Sequence, residues 1–495
     1  MKLVKWNMCC LLILVMACAN YQKKELKVQV FETSASGNKM QQITEFNKED
    51  VVSHISIDPS KKFQTITGFG GAFTESSAYL LNKLSKKNRD TIMRAYFGKD
   101  GANYSLCRTH MNSCDFSLNQ YSYAPTEDIE LKDFSVNEDM DDLIPMIKEA
   151  YAISQEGFKL FASPWTAPPW MKDNKEWVGG KLLKEHYPTW ALFFSKYIEA
   201  YKEQGIELWG FTVENEPHGN GNNWESMHFT PKEMTDFVQY YLGPKLEADG
   251  HGDKTILGYD QNREGIKEWV DVMYATDESS KYYDGTAIHW YESTYEVFPK
   301  ALQYAHKKAP DKYLIETEGC IDSEVPAWKD DVWYWKKEAT DWGYDWREEE
   351  KKYLHPKYAP VNRYARDIIG CLNNWVDGWV DWNMILNRQG GPNWFKNWCA
   401  APVIVDEDAD EVYFTPLYYT MAHFSKYIRP GAEIVHVNKT DDELLVSAAL
   451  NPDKSLAIVI FNEGEIPKSF NLNYDGKTKV IGINRQALQT IILTK

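Results

Sequence analysis

Eight short apolar runs, each followed by a polar or aromatic loop and then a longer amphipathic segment, predict a closed (β/α)8 barrel. Beyond about residue 427 the pattern changes to short strands separated by Asn-Pro-Asp, Asn-Glu-Gly and Asp-Gly turns, the signature of an all-β unit of sandwich type. Two more alternating stretches, 27–33 and 52–57, precede the barrel with nothing nearby to pair with. The expected fold is therefore a (β/α)8 TIM barrel with an attached β-sandwich formed by both chain ends.

From the N-terminus, Met1, Lys2 and Lys5 make a short basic start, and an apolar stretch follows and ends at Cys18. Residues 1–17 read as a bacterial lipoprotein signal peptide, too short for a transmembrane helix, with Cys18 as the lipid attachment residue. An ordinary cleaved signal peptide is the alternative. The lipoprotein reading partners the chain with a bacterial membrane through its N-terminal anchor, at the cell surface or the periplasmic face of the outer membrane. Residues 18–29 are then a tether, 30–64 the first sandwich strands, 65–428 the catalytic barrel and 429–495 the rest of the sandwich.

Within the barrel, strands are expected at 65–68, 103–109, 158–162, 208–213, 255–259, 286–290, 313–317 and 378–382. Helices are expected at 84–97, 140–154, 189–203, 231–248, 266–276, 296–308 and 361–376. The segment 326–360 departs from this rhythm and carries five Trp among many charged residues. It reads either as a charged surface helix whose Trp pack down on the barrel or as a wall over the cleft.

Composition removes several classes of function. A net charge of -17 lacks the basic footprint of a nucleic-acid-binding protein. No Gly-x-Gly-x-x-Gly or P-loop follows a strand, and no Gly-x-Ser-x-Gly elbow or two-histidine metal pair occurs, so no cofactor and no metal are expected. Of eight Cys, three lie in the export segment. The other five are an odd, thinly spread set that reads as buried free thiols with one bridge possible.

What remains is acidic and aromatic material at strand ends. Glu216 and Glu318 each follow an apolar strand about a hundred residues apart, as two carboxyl groups facing across a glycosidic bond would require. Strand alternation lets Glu214 share a side with Glu216, and Glu316 competes with Glu318. Asn215 is placed to reach a sugar 2-hydroxyl, Arg108 to hold a carboxylate, and Asp115 to grip hydroxyls. His289 and Tyr291 end the sixth strand and can orient the nucleophile. Trp165 and Trp382 follow strands three and eight as floor and side of a pocket, which Asn397 and Trp398 close.

The ordered set Gly68-Phe69-Gly70-Gly71-Ala72-Phe73-Thr74, Ser113-Cys114-Asp115-Phe116-Ser117, Ala162-Ser163-Pro164-Trp165-Thr166, Asn215-Glu216-Pro217, His289-Trp290-Tyr291, Asp381-Trp382-Asn383 and Gly391-Pro392-Asn393-Trp394 resembles glycoside hydrolase family 30, in particular its glucosylceramidase-like enzymes. The resemblance implies retaining hydrolysis, with Glu216 as acid/base, Glu318 as nucleophile and Arg108 supporting the carboxylates. It also implies that Asp115, Trp165, Asn215, His289, Tyr291, Trp382 and Asn397 line a terminal glucose site. Departures around His218 to Trp224 and in the Trp-rich insertion leave the aglycone open. Because the chain reads as exported and lipid-anchored, the expected activity is an endo-β-1,6-glucanase acting on β-glucan. The alternatives are a glucosylceramidase or exo-acting β-glucosidase, and an inactive carbohydrate-binding lipoprotein.

Overall fold

The computed structural model describes residues 26–46, 51, 53–219, 223–322, 327–339 and 348–494. The signal segment, Cys18, most of the tether, and Trp342 and Trp346 of the insertion lie outside the described residues. No helix among them is long and apolar enough to cross a membrane.

Eight parallel strands close into a barrel: Gly68–Phe73, Leu106–Met111, Lys159–Pro164, Gly210–Thr212, Thr255–Asn262, Gly285–His289, Tyr313–Gly319 and Gly378–Asp381, here barrel strands one to eight. Seven overlap their expected positions closely. The first is displaced: residue 65 ends a different strand, Ser53–Thr65, and barrel strand one begins at Gly68. Its Gly-rich sequence is a poor strand former, yet a Cβ on Gly70 would lie 1.9 Å from the Leu106 carbonyl oxygen. Glycine is what lets strands one and two meet.

The first expected helix, 84–97, is found at Lys86–Phe97, capped by Ser85, which accepts from the Asn88 N–H; the helix Glu75–Lys83 ahead of it was not expected. The expected helix 231–248 contains a π segment, Val238–Leu242, ahead of Gly243–Asp249. Pro244 has no N–H to give to the preceding turn, and the wider turn accommodates its ring.

The two chain ends build a single nine-stranded sheet. Val28–Ser34 pairs antiparallel with Ala487–Leu493 over its whole length, and Ser53–Thr65 sits between Glu433–Lys439 and Lys468–Tyr474. Val30, from near one edge, and Ile481, from the other edge, share one apolar cluster with Ile458 and Leu472. The sheet therefore curls back on itself and encloses its own core, giving the sandwich its two layers. Buried His423, on the helix Pro416–Ser425, joins this sheet to the barrel through Thr490 Oγ1 (2.8 Å) and Thr33 Oγ1 (2.9 Å).

The described residues of the Trp-rich insertion form short 3-10 turns, Trp333–Trp335, Lys337–Ala339 and Glu349–Leu354, and among them there is no α-helix of the kind considered from sequence. Trp333 and Trp335 join the main core and Trp328 stacks on Tyr413 at 4.6 Å, so the described Trp pack down onto the fold.

Candidate active site

Barrel strand two delivers Arg108 into the centre of the barrel mouth, where it is fully buried. Its Nη1 donates to Glu318 Oε2 at 2.5 Å, and its Nη2 to Asp260 Oδ2 at 2.9 Å and Asn215 Oδ1 at 2.8 Å. Nε donates to Ser163 Oγ at 2.9 Å. A guanidinium without water is costly unless its donors are matched, and here the ends of strands two, three, four, five and seven are tied to one planar cation.

Two bulges aim the carboxylates. In strand five the register with strand six slips between Tyr259 and Gln261, leaving Asp260 as the extra residue at φ 63°. In strand seven it slips between Glu316 and Glu318 against the same neighbour. Each bulge turns a side chain that regular pleating would have sent elsewhere. Glu216, at φ 48°, lies beyond the short strand four, and its backbone N–H donates to the Asp260 carbonyl.

His289 bridges Glu216 and Asp260, with Nδ1 3.2 Å from Glu216 Oε1 and Nε2 3.0 Å from Asp260 Oδ1. Burial alone would neutralise it, but the Glu318 and Asp260 carboxylates outweigh burial and raise it to about 10. It is an imidazolium that donates on both sides. Burial likewise drives Asp260 up, and Arg108 and His289 outweigh it, holding the carboxyl at about 2. Thr317 Oγ1 donates to the same carboxylate at 2.6 Å. Burial pushes the Glu318 carboxyl above its ordinary value against the pull of His289 and Arg108. The Tyr291 hydroxyl donates to its Oε1 at 2.9 Å.

One carboxylate oxygen of Glu216, one of Glu318 and a ring nitrogen of His289 lie within 4.8 Å of one another. Carboxyl groups about 5–5.5 Å apart flank a bond closely enough for one to attack carbon directly, whereas a separation of about 6.5–9.5 Å leaves room for a water. Nearest oxygens within 4.8 Å fit the first spacing.

Beside this pair, Asn397 Nδ2 donates to Asp115 Oδ2 at 3.3 Å, and Asp115 Oδ1 has no hydrogen-bond partner among the described residues. Burial, then Glu318, lifts the Asp115 carboxyl well above its usual range. Trp165 and Trp382 stack on each other at 5.1 Å, with Arg108 4.9 Å from the Trp165 ring centroid. At 1% and 2% exposure they form a buried wall rather than an open stacking platform. All the sequence-selected barrel residues, Arg108, Asp115, Trp165, Asn215, Glu216, His289, Tyr291, Glu318, Trp382 and Asn397, thus gather at one mouth.

Two competing carboxylates differ from this pair in their surroundings. Glu214 follows the end of regular strand at Thr212, within electrostatic reach of Lys172 and Asp260. It is fully buried, and desolvation raises its carboxyl well above the ordinary value. Glu316 faces the helix layer, where Arg263 Nη2 donates to it at 2.5 Å and also meets Asp367 at 2.8 Å. Asp260 and Thr317 escaped sequence reasoning. An acidic residue directly after an apolar strand was the available signal for Asp260, the same one that selected Glu216.

An eight-stranded barrel with two facing carboxylates at the C-terminal mouth, braced by buried cations, is the architecture of a barrel glycosidase. Residues 66–428 match the Glycosyl hydrolase family 30 TIM-barrel domain and 431–491 its beta sandwich domain; the chain belongs to glycosyl hydrolase family 30. Putative glucosylceramidase 3 of Caenorhabditis elegans is 36% identical over 439 residues, covering 86% of this chain and 79% of that protein. Lysosomal acid glucosylceramidase of Mus musculus is 34% identical over 419 residues, covering 82% and 77%. The solved structure of the endo-beta1,6-glucanase BT3312 superposes with a TM-score of 0.80 at 27% identity, covering 94% of this chain and 99% of that one. The chain is a family 30 glycoside hydrolase of the type that acts on β-glucans and β-glucosides.

Proposed function

We propose that the chain is a retaining hydrolase of terminal β-glucosides, glucosylceramide among them. The observation that carries the retaining step is the close approach of the Glu216 and Glu318 oxygens. In this reading Glu318, neutralised by Arg108 and steadied by Tyr291, attacks the anomeric carbon while Glu216 gives its proton to the leaving oxygen. The Glu216 carboxylate so formed meets the His289 Nδ1–H. Glu216 then takes a proton from water, and the hydroxide end of that water displaces Glu318 from the sugar. Asp115 Oδ1 and the Asn397 amide are placed to bind hydroxyls of the glucose, and Asn215, held by Arg108, to bind its 2-hydroxyl.

Support for a terminal glucoside comes from the relatives. Two curated glucosylceramidases are 36% and 34% identical, against 27% and 26% for two fungal endo-1,6-β-glucanases. This reverses the order expected from sequence, which put endo-β-1,6-glucanase first. That second reading keeps one observation in its favour, the overall superposition on the bacterial-type endo-glucanase fold noted above. Purified enzyme is offered an aryl β-glucoside, detergent-dispersed glucosylceramide and linear β-1,6-glucan, with Glu318→Gln as the control. Glucose released from the first two, absent in the folded variant, is the expected result. An early ladder of oligosaccharides from the glucan with neither glucoside cleaved would replace it with the endo reading.

A further inference from the structure

Among the described residues, three groups of Cys, His and carboxylate side chains bring donor atoms close enough to share a cation. Glu216, His289 and Glu318 are the site already described. Glu316, Asp367 and Cys371 already surround a cation, the guanidinium of Arg263. The third group is Cys320, Asp322 and Cys399, with the Arg363 guanidinium close enough for its charge to act on Asp322.

Its geometry is unusually regular. Cys320 Sγ lies 3.4 Å from Cys399 Sγ, and each sulfur lies 3.4 Å from Asp322 Oδ1. The three donors thus form a nearly equilateral triangle. A tetrahedral zinc site with bonds of about 2.3 Å to sulfur and about 2.1 Å to oxygen has edges of about 3.8 Å between sulfurs and about 3.6 Å from sulfur to oxygen. Opening the sulfur pair by about 0.4 Å and each sulfur–oxygen edge by about 0.2 Å satisfies both. The triangle is held by a two-strand ladder in which Asp322 pairs with Cys399 and Ile321 with Ala400. That register puts Cys320 diagonally opposite Cys399 on the same face. Sequence spacing gave no hint of it, since the two thiols come from the loops after barrel strands seven and eight.

We propose that Cys320, Cys399 and Asp322 form a binding site for a soft divalent cation of the zinc class. The cation replaces both thiol protons, which leave to water as the two sulfur–metal bonds form, and the Asp322 carboxylate completes three ligands, leaving the fourth position open. Both sulfurs pack in the same apolar cluster as Trp165, Trp382 and Tyr291, and Asp322 is the partly exposed member. The Tyr291 hydroxyl lies 3.5 Å from Cys320 Sγ and 2.9 Å from Glu318 Oε1. A metal-bound thiolate competes with Glu318 for that hydroxyl proton, so occupancy lowers turnover. This effect on turnover rests on Glu318 being the nucleophile; the site does not.

The test is cobalt(II) titration of the reduced, whole protein. One cobalt per chain, with sulfur-to-cobalt charge transfer in the near ultraviolet and the strong visible bands of a tetrahedral centre, is expected, and zinc should bleach both. In Cys399→Ala the bands should vanish. Should that variant fail to accumulate folded, Asp322→Asn serves, with the affinity for cobalt expected to fall at least tenfold. Absence of the bands at saturating cobalt, or their persistence unchanged in the variants, overturns the site. So does peptide mapping of unreduced protein that recovers Cys320 cross-linked to Cys399, which would assign the pair to a disulfide. None of these readouts requires hydrolysis, so failure of the proposed function would leave them interpretable.

Discussion

Replacing Asp260 by Asn keeps the shape of the side chain and removes its charge. The carboxylate accepts from Arg108 on Oδ2, and from His289 and Thr317 on Oδ1. An amide offers one oxygen, so whichever way it is turned its NH2 faces a donor, the Arg108 Nη2 at 2.9 Å or the His289–Thr317 pair. Breaking one half of a buried charge pair costs about 3–5 kcal/mol, and we expect Asp260→Asn to lose about that much stability in denaturant titration. The site should change as well. Asp260 is one of three carboxylates, with Glu318 and Glu216, that lift His289 to about 10, so its loss lowers that value. His289 contributes stability in full below its ordinary value of 6.5, and this is lost as pH rises through about 10. In the variant, both that loss and the alkaline limb of kcat/KM should move toward neutral pH. If the imidazolium hydrogen bond to Glu216 is worth about 1.5–3 kcal/mol, activity above the new limb falls about 10- to 100-fold. An unfolding midpoint and an alkaline limb both identical to wild type would refute the bridging role of Asp260.

Other perturbations separate structural from chemical carboxylates. Burial, against the pull of Arg263, raises Glu316 to about 8, while Asp367 is held low with Arg263 as its partner. Glu316 is therefore protonated at neutral pH, and Glu316→Gln should cost less than about 1 kcal/mol and spare turnover, whereas Asp367→Asn should cost about 3–5 kcal/mol by unfolding titration. Burial holds His423 down at about 3, so the stability it contributes is full above its ordinary 6.5 and is lost as pH falls toward 3. His423→Ala should remove that acid dependence and cost about 1–3 kcal/mol through loss of both ring hydrogen bonds, with Thr490 Oγ1 still donating to the residue-423 carbonyl, read from unfolding at pH 7 and pH 5. Deleting residues 26–34 strips one of two strand partners from Ala487–Leu493, and the thermal midpoint of the whole protein should drop, not merely its affinity for glycan.

Barrel strands two to eight were legible because buried parallel strands read as apolar runs whatever surrounds them. Strand one was not, since Gly68, Gly70 and Gly71 give no apolar signal and earn their place only through contact with Leu106 and its neighbours. The two catalytic-mouth carboxylates showed themselves by following such runs. What sequence could not show was direction. The bulges at Asp260 and Thr317 decide which of Glu316 and Glu318 enters the mouth, and they arise from pairing with strand six, a long-range event with no local mark. The convergence of Cys320 with Cys399 is of the same kind. Trp content, by contrast, decided nothing alone: a flat ring is equally suited to a sugar face and to a core, and Trp165, Trp382, Trp333 and Trp335 are all enclosed.

The pairing of Val28–Ser34 with Ala487–Leu493 also sets an order of events during synthesis and export. Barrel strand one finds strand two soon after it emerges, but Val28–Ser34 waits for Ala487–Leu493. Until then its backbone donors and acceptors are an open sheet edge that another nascent chain can add to. Closure of that edge joins strands from far apart in the sequence, so it acts as a seal that only a copy carrying both can set.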